Sequence, residues 1–196
     1  MDKIFPEKIH NYFELIRLNK PIGFMLLLWP CWFSLAYLET SQQYLLSYYI
    51  IFTIGSVIMR SAGCIINDLI DQDIDSKIER TATRPLASKK ITNFNAIIFL
   101  FVLLTIGLLI LLQFKTETVL VGLLCTPLII LYPLMKRITF WPQLFLGIIF
   151  NWGIIICSVE FFGTITKEYF ILYLACVLWT IGYDTIYAYQ DLKDDK

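Results

Sequence analysis

Residues 65–86 read IINDLIDQDIDSKIERTATRPL and follow, after a short interval, the apolar stretch YLLSYYIIFTIGSVIM (44–59). A chain with the look of having just crossed a lipid bilayer spends Asp68, Asp71, Asp73, Asp75 and Glu79 almost at once. The ordinary reading of such a run is a solvated loop beside the membrane. The spacing argues for chemistry instead. Asn67, Asp71 and Asp75 stand one helical turn apart, so a continuous helix would align them in a ridge about 12 Å long. Helix is expected to persist from the apolar stretch into the acids, because Leu69, Ile70, Ile74 and Ile78 place apolar residues between them. The segment TRPL (83–86) ends it, since the residue before Pro85 is pushed out of the helical region.

Composition sets the class. Of 196 residues, 58% are hydrophobic and only 16% charged, and the mean hydropathy is +0.68. A soluble domain of this size needs far more polar surface, so the chain is an all-α, polytopic membrane helix bundle. Uncharged apolar runs cover 21–38, 40–59, 94–114, 118–135, 138–159 and 169–183. Six spans are expected, each needing about 20 residues; the last reaches that length only by continuing through Asp184. Residues 1–20 are expected to lie at the interface on an apolar face of Ile9, Phe13 and Ile16, ahead of a membrane domain over 21–196. No signal peptide is evident, and Glu and Asp near the start argue against an Arg-rich mitochondrial transit peptide. The five cysteines stand singly without metal-ligand spacing and read as small apolar fillers. His10 is the single histidine, so a His-based zinc or catalytic site is not expected. Pro30 and Pro127 fall inside spans, where kinks are expected.

The formal charge is zero, but its distribution is not even. With six spans, every Lys and Arg except Lys115 and Lys167 falls on one side of the membrane. That bias places both termini in the cytoplasm and the loops 39–43, 113–118 and 160–168 outside. A bacterial inner membrane is the expected location, and no nucleic-acid partner is expected.

A second acidic cluster, YDTIYAYQDLKDD (183–195), also closes an even-numbered span. Asp184, Asp191 and Asp195 fall within about 20° of one line on a helix. Both clusters then emerge on the cytoplasmic side, and two helices can present carboxylates to each other across a cleft. Facing carboxylates repel unless a cation lies between them. Only oxygen ligands are offered, which points to Mg²⁺, an ion that commonly shares its shell with substrate phosphates. Lys77, Arg80, Arg84 and the pair Lys136–Arg137 lie on the same side, and mixed acids and bases suit a metal-bridged diphosphate. Asp184 adds weight, because a carboxylate at bilayer centre costs about 2.5–3.5 kcal/mol and would face a polar cavity.

NDLIDQDID (67–75) with RTATRPLAS (80–88), and YDTIYAYQD (183–191) with Asp195, resemble the two signature motifs of the UbiA superfamily of intramembrane prenyltransferases. RLNKPIGFMLLLWP (17–30) and YPLMKRITFWPQLFLGIIFNWG (132–153) resemble its 4-hydroxybenzoate polyprenyltransferase branch more narrowly. The likeness runs essentially end to end. It implies Mg²⁺-dependent transfer of a polyprenyl group from polyprenyl diphosphate to 4-hydroxybenzoate, ortho to the hydroxyl, in ubiquinone biosynthesis. By the family pattern Asn67, Asp71, Asp75, Asp191 and Asp195 would hold the metal and diphosphate, with Asp71, Asp75 and Asp191 at the centre of the reaction. Arg80, Arg84 and Lys136 would take diphosphate oxygens, and Arg137 the benzoate carboxylate. Asp68, off the expected ridge, and Asp184 rank second. Tyr132, Tyr183 and Tyr187 are candidates to face the allylic cation, although tyrosines also line membrane interfaces.

The family fold has nine transmembrane helices, whereas this chain stops at Lys196, just after the second motif. A C-terminally truncated chain, inactive by itself, is therefore expected, and the remaining helices as a separate chain are an expected partner beside the two substrates and membrane lipid. Naphthoate, homogentisate or a porphyrin are alternative acceptors, since the acid motifs report diphosphate only. A divalent-cation transporter would need acids at mid-span, and the apolar runs carry none. An inactive membrane scaffold is the third reading.

Overall fold

The computed structural model describes residues 6–38 and 42–191, and every regular element among them is a helix. The elements are α1 (Glu7–Leu15), α2 (Ile22–Ala36), α3 (Gln42–Ile70), α4 (Gln72–Asp75), α5 (Asn93–Leu111), α6 (Thr116–Ile138), α7 (Pro142–Phe150), α8 (Trp152–Phe162) and α9 (Lys167–Asp191). Five stretches are long and apolar enough to cross a membrane: Tyr44–Ile70, Asn93–Leu111, Thr116–Met135, Pro142–Phe162 and Lys167–Tyr189. The expected first span is the exception. Helix α2 has 15 residues, about 22 Å at 1.5 Å per residue, short of a full crossing. The sixth span behaves as its composition required: α9 runs 25 residues, straight through Asp184. Large apolar side chains face outward along α5, among them Phe94, Phe101 and Leu109. Outward apolar faces are what a bilayer demands, since lipid is their solvent.

Contacts divide the chain into two units. One joins the stretch up to Met25 with Gly55–Leu108; the other comprises Leu26–Ile54 and everything from Leu109 on.

The first unit is built around the fully buried Leu15, Ile65, Leu86 and Ala96. Helix α1 closes with the turn that usually carries glycine: Leu18 N–H donates to the Phe13 carbonyl and Arg17 N–H to that of Glu14, both at 3.0 Å. Here the left-handed residue is Arg17, at φ 55°. That turn drives Leu15 into the core and sets Tyr12 edge-on to Phe99 at 5.2 Å. Of the expected apolar face, Ile16 packs on this core beside Tyr12 and Leu15, whereas Ile9 remains exposed.

The acidic segment departs from a continuous helix. Regular helix stops at Ile70, Asp71 adopts φ −95° and ψ 4°, and α4 is a single turn. Like-charged acids a turn apart repel, and short aspartate side chains favour such breaks. The register nevertheless survives. Asp71 N–H donates to the Asn67 carbonyl at 2.9 Å and Asp75 N–H to that of Asp71 at 2.8 Å.

In the second unit α7 and α8 both pack on α6 and on α9. The apolar run read as one span is two helices meeting at Asn151, whose amide donates to the Gly147 carbonyl (2.7 Å) and to Thr180 Oγ1 (3.0 Å). Buried polar groups need partners in hydrocarbon, and these supply them. A Cβ on Gly147 would stand 3.1 Å from the Val177 carbonyl, a tight contact that a larger residue could make only if α7 and α9 gave way slightly. The outer loop expected over 160–168 starts later, since α8 extends to Phe162 and Glu160 is 4% exposed. Its carboxylate accepts from Tyr48 Oη (3.0 Å), Lys115 N–H (3.0 Å) and Thr118 Oγ1 (2.8 Å). It thereby caps the N-terminus of α6, where a negative charge is favoured.

Candidate active site

The first acidic motif contains an alternating chain of charges. Asp68, on the last turn of α3, is 2% exposed and its Oδ1 accepts from Arg17 Nη2 at 2.6 Å. The same oxygen lies 3.3 Å from Arg84 Nη1. Arg84 Nη1 in turn reaches Asp75 Oδ2 at 2.6 Å. The order Arg17, Asp68, Arg84, Asp75 is positive, negative, positive, negative, and two nearly buried carboxylates are each compensated by a guanidinium. Buried charges are tolerable only when paired in this way.

The backbone places Arg84 firmly. Thr81 Oγ1 donates to the Asp75 carbonyl at 2.9 Å, folding the RTATRPL stretch back over α4. Gln72 Nε2 donates to the Leu86 carbonyl at 3.1 Å, and Leu86 is fully buried in the core of this unit. Ser88 N–H and Oγ both donate to the Arg84 carbonyl at 2.8 Å. Pro85 thus does more than end a helix: the residues on either side of it anchor one apolar and one cationic side chain. Arg17 is held by its ion pair and by the turn that closes α1, against the cost of about 1–2 kcal/mol for a non-glycine residue in the left-handed region.

The expected ligands separate into two groups. Asn67 and Asp71 are half-buried at the break between α3 and α4, while Asp75 is buried and engaged by Arg84. Asp68, ranked second because it lies off the ridge of Asn67, Asp71 and Asp75, is the most buried acid of the motif. Its signal was available, since Asp68 and Asp75 are seven residues apart and two turns of helix bring them to one face. Arg17 carried no comparable signal: it lies 51 residues from its partner. Arg80 is exposed, and Asp73 points outward in keeping with its place off the ridge.

In the second unit Asp184 is half-buried on α9, with Tyr187 exposed one turn further on. The backbone of α9 continues to Asp191 and that of α6 includes Lys136 and Arg137. The side chains of Lys136, Arg137 and Asp191 lie outside the described part, as does Asp195. Tyr132 and Tyr183 are half-buried.

The donor set can be tested against a metal. Among the described residues no three acids gather into a ligand group of their own. What the first motif offers is oxygen alone, from Asn67, Asp71 and Asp75, with a guanidinium beside it. That set fits Mg²⁺, which takes few protein carboxylates and completes its shell with water and phosphate oxygens.

A family model described as the UbiA prenyltransferase family matches residues 27–196. The chain belongs to the UbiA prenyltransferase family. Among curated proteins, this UbiA-family chain is 49% identical over 188 residues to "4-hydroxybenzoate polyprenyltransferase, mitochondrial" of Drosophila pseudoobscura pseudoobscura, covering 94% of this chain and 47% of that one. The protein of the same name from Arabidopsis thaliana is 46% identical over 197 residues, covering 100% and 48%. The chain thus spans about half the length of the curated relatives it matches. Each carries the matching stretch inside one longer chain, so the expectation of a separate C-terminal chain has no support. Their mitochondrial names likewise give none to a bacterial inner membrane. Among solved structures, the apo structure of a UbiA homolog from Aeropyrum pernix K1 has a TM-score of 0.68 at 25% identity, over 98% of this chain and 67% of that one. A UbiA homolog from Archaeoglobus fulgidus bound to GPP and Mg²⁺ has a TM-score of 0.71 at 16% identity, over 94% and 65%, a likeness of fold alone. The UbiA assignment accounts for the apolar helices: this is an integral membrane protein.

Proposed function

We propose that this UbiA-family chain carries the diphosphate-binding part of an enzyme that transfers a polyprenyl group from its diphosphate to 4-hydroxybenzoate, ortho to the ring hydroxyl. The observation that carries the reading is the guanidinium of Arg84 held against Asp75, inside the first motif. It is supported by curated relatives of 43–49% identity that bear the name 4-hydroxybenzoate polyprenyltransferase.

Asn67, Asp71 and Asp75, with Asp191 and Asp195 from the second motif, are assigned to hold Mg²⁺. When bound, Mg²⁺ supplies positive charge that stabilises the departing diphosphate. Arg84, Arg80 and Lys136 donate hydrogen bonds to diphosphate oxygens as negative charge builds there on cleavage of the carbon–oxygen bond. Arg84 is suited to this, because it is pinned at its backbone and 28% exposed at its side chain. Arg137 orients the acceptor through its carboxylate, so that the carbon beside the hydroxyl meets the allylic cation. Tyr132, Tyr183 and Tyr187 offer aromatic faces to that cation. The prenyl tail is hydrocarbon and stays in the lipid phase that surrounds the helices.

Membranes containing the full-length protein, incubated with labelled 4-hydroxybenzoate, a polyprenyl diphosphate and Mg²⁺, are expected to yield a prenylated ring product that chelation abolishes. No product with donors of several chain lengths would overturn the reading.

A further inference from the structure

We infer that Arg17, which precedes the family-matched stretch beginning at residue 27, is a positioning residue for the diphosphate site and acts through Asp68 on Arg84. The inference rests on the function proposed above. Three observations carry it. Arg17 Nη2 and Arg84 Nη1 converge on one oxygen, Asp68 Oδ1, at 2.6 and 3.3 Å. Arg84 divides its charge unequally, being closer to Asp75 (2.6 Å) than to Asp68. And Arg17 occupies the left-handed position that closes α1, φ 55°, where glycine would sit without strain. Backbone strain of this kind persists where surrounding structure enforces it, and it concentrates at functional sites.

The consequence is electrostatic. Asp68 is nearly buried, and its carboxylate form is stabilised by the guanidinium groups beside it. With Arg17 in place, Asp68 is satisfied at short range, and Arg84 is left to Asp75 and to a ligand. Without Arg17, Arg84 becomes the sole cation on Asp68 in this chain of charges and is drawn toward it. The contact at 3.3 Å then shortens at the expense of the one at 2.6 Å, and the guanidinium turns away from where a diphosphate would lie. Arg17 itself needs no contact with substrate for this effect.

A compensating pair of variants tests it in the detergent-solubilised full-length protein, with geranyl diphosphate and Mg²⁺ as the probe and its Kd as the readout. Arg17→Ala is expected to weaken binding about tenfold, the scale of one lost charge-assisted contact. Adding Asp68→Asn removes the charge that captures Arg84, so the double variant is expected to bind at least about threefold more tightly than Arg17→Ala. A merely structural role for Arg17, or direct contact of Arg17 with the ligand, predicts no rescue. A double variant as weak as Arg17→Ala, or an Arg17→Ala variant that binds like the parent, overturns the inference. If Arg17→Ala does not fold, Arg17→Lys replaces it. The ammonium keeps the charge but loses the fork, and is expected to weaken binding by a smaller factor that Asp68→Asn again reverses; parent-like binding overturns the inference there too. Failure of the parent to bind geranyl diphosphate overturns the proposed function first, and is thereby distinct from failure of the Arg17 variants alone.

Discussion

Asp68 and Asp75 share a single guanidinium nitrogen, Arg84 Nη1, at 3.3 and 2.6 Å. Removing either acid therefore alters the field on the other. Asp68→Ala leaves Arg17 without its partner and Arg84 with half of its own. A loss of about 3–5 kcal/mol is expected, as for a broken buried pair. Asp68→Asn, whose amide oxygen still accepts, is expected to lose less. Thermal unfolding in detergent measures both, and equal melting points for parent and alanine variant would contradict the pairing.

Turnover separates the acids differently. Asp71→Ala and Asp191→Ala are expected to lower prenyl transfer by about 10²-fold or more, the scale seen when one stabilising group at a reacting centre is removed. Both variants should still insert. Asp73 is exposed and off the ridge, so Asp73→Ala is expected to be silent within about 0.5 kcal/mol in stability and unchanged in rate. Retained activity in the first two, at matched expression, would return the acids to the role of a solvated loop.

Arg137 offers a test of substrate assignment. Arg137→Ala is expected to raise KM for 4-hydroxybenzoate roughly tenfold, the scale of one charge-assisted hydrogen bond, with a smaller change for the prenyl donor. Steady-state kinetics with each substrate varied in turn decides it; a loss confined to the donor would move Arg137 to the diphosphate.

Packing in the second unit makes a prediction free of any chemistry. A Cβ on Gly153 would fall inside the contact radius of Cys31 Sγ, and Cys31 is buried. Gly153→Ala is expected to cost about 1–3 kcal/mol, the usual penalty of overpacking. Cys31→Ala removes the sulfur and is expected to recover most of that loss in the double variant. Additive losses, read from unfolding temperatures, would show that the two sites do not touch.

Glu160 gives the largest expected stability effect outside the first motif. Glu160→Ala leaves the Tyr48 and Thr118 hydroxyls and the Lys115 amide without an acceptor, at about 1–3 kcal/mol for each buried donor. Glu160→Gln keeps one acceptor oxygen and should fall between parent and alanine variant. A parent-like melting point for Glu160→Ala would show that water reaches this end of the helices.

Much of this architecture was legible because bilayers impose a simple rule on sequence. Runs such as 94–114 and 118–135 can do little but span, and the structure returns them as α5 and α6 within a few residues. The UbiA motifs were legible for a different reason: NDLIDQDID and YDTIYAYQD resemble the family's signatures, and their acids recur at helical spacing beside apolar runs. What could not be read was decided by contacts far apart in the chain. Arg17 finds Asp68 across 51 residues and Glu160 finds Tyr48 across 112, and no local periodicity encodes either. The break at Asp71 escaped because apolar residues between acids argued for helix, while repulsion among the acids argued against it. The short α2 escaped because hydropathy counts residues up to Leu38, whereas the helix ends at Ala36.

The partners of Glu160 also fix an order of events during synthesis. Tyr48, Lys115 and Thr118 all precede residue 160, so each has left the ribosome before the carboxylate does. A bare carboxylate offered to lipid is costly, but this one emerges after the groups that receive it. Reversing that order, by a circular permutation that places α8 ahead of α3 and α6, would leave Glu160 waiting in the membrane for its donors. The linear arrangement of the chain is in that sense a schedule for insertion.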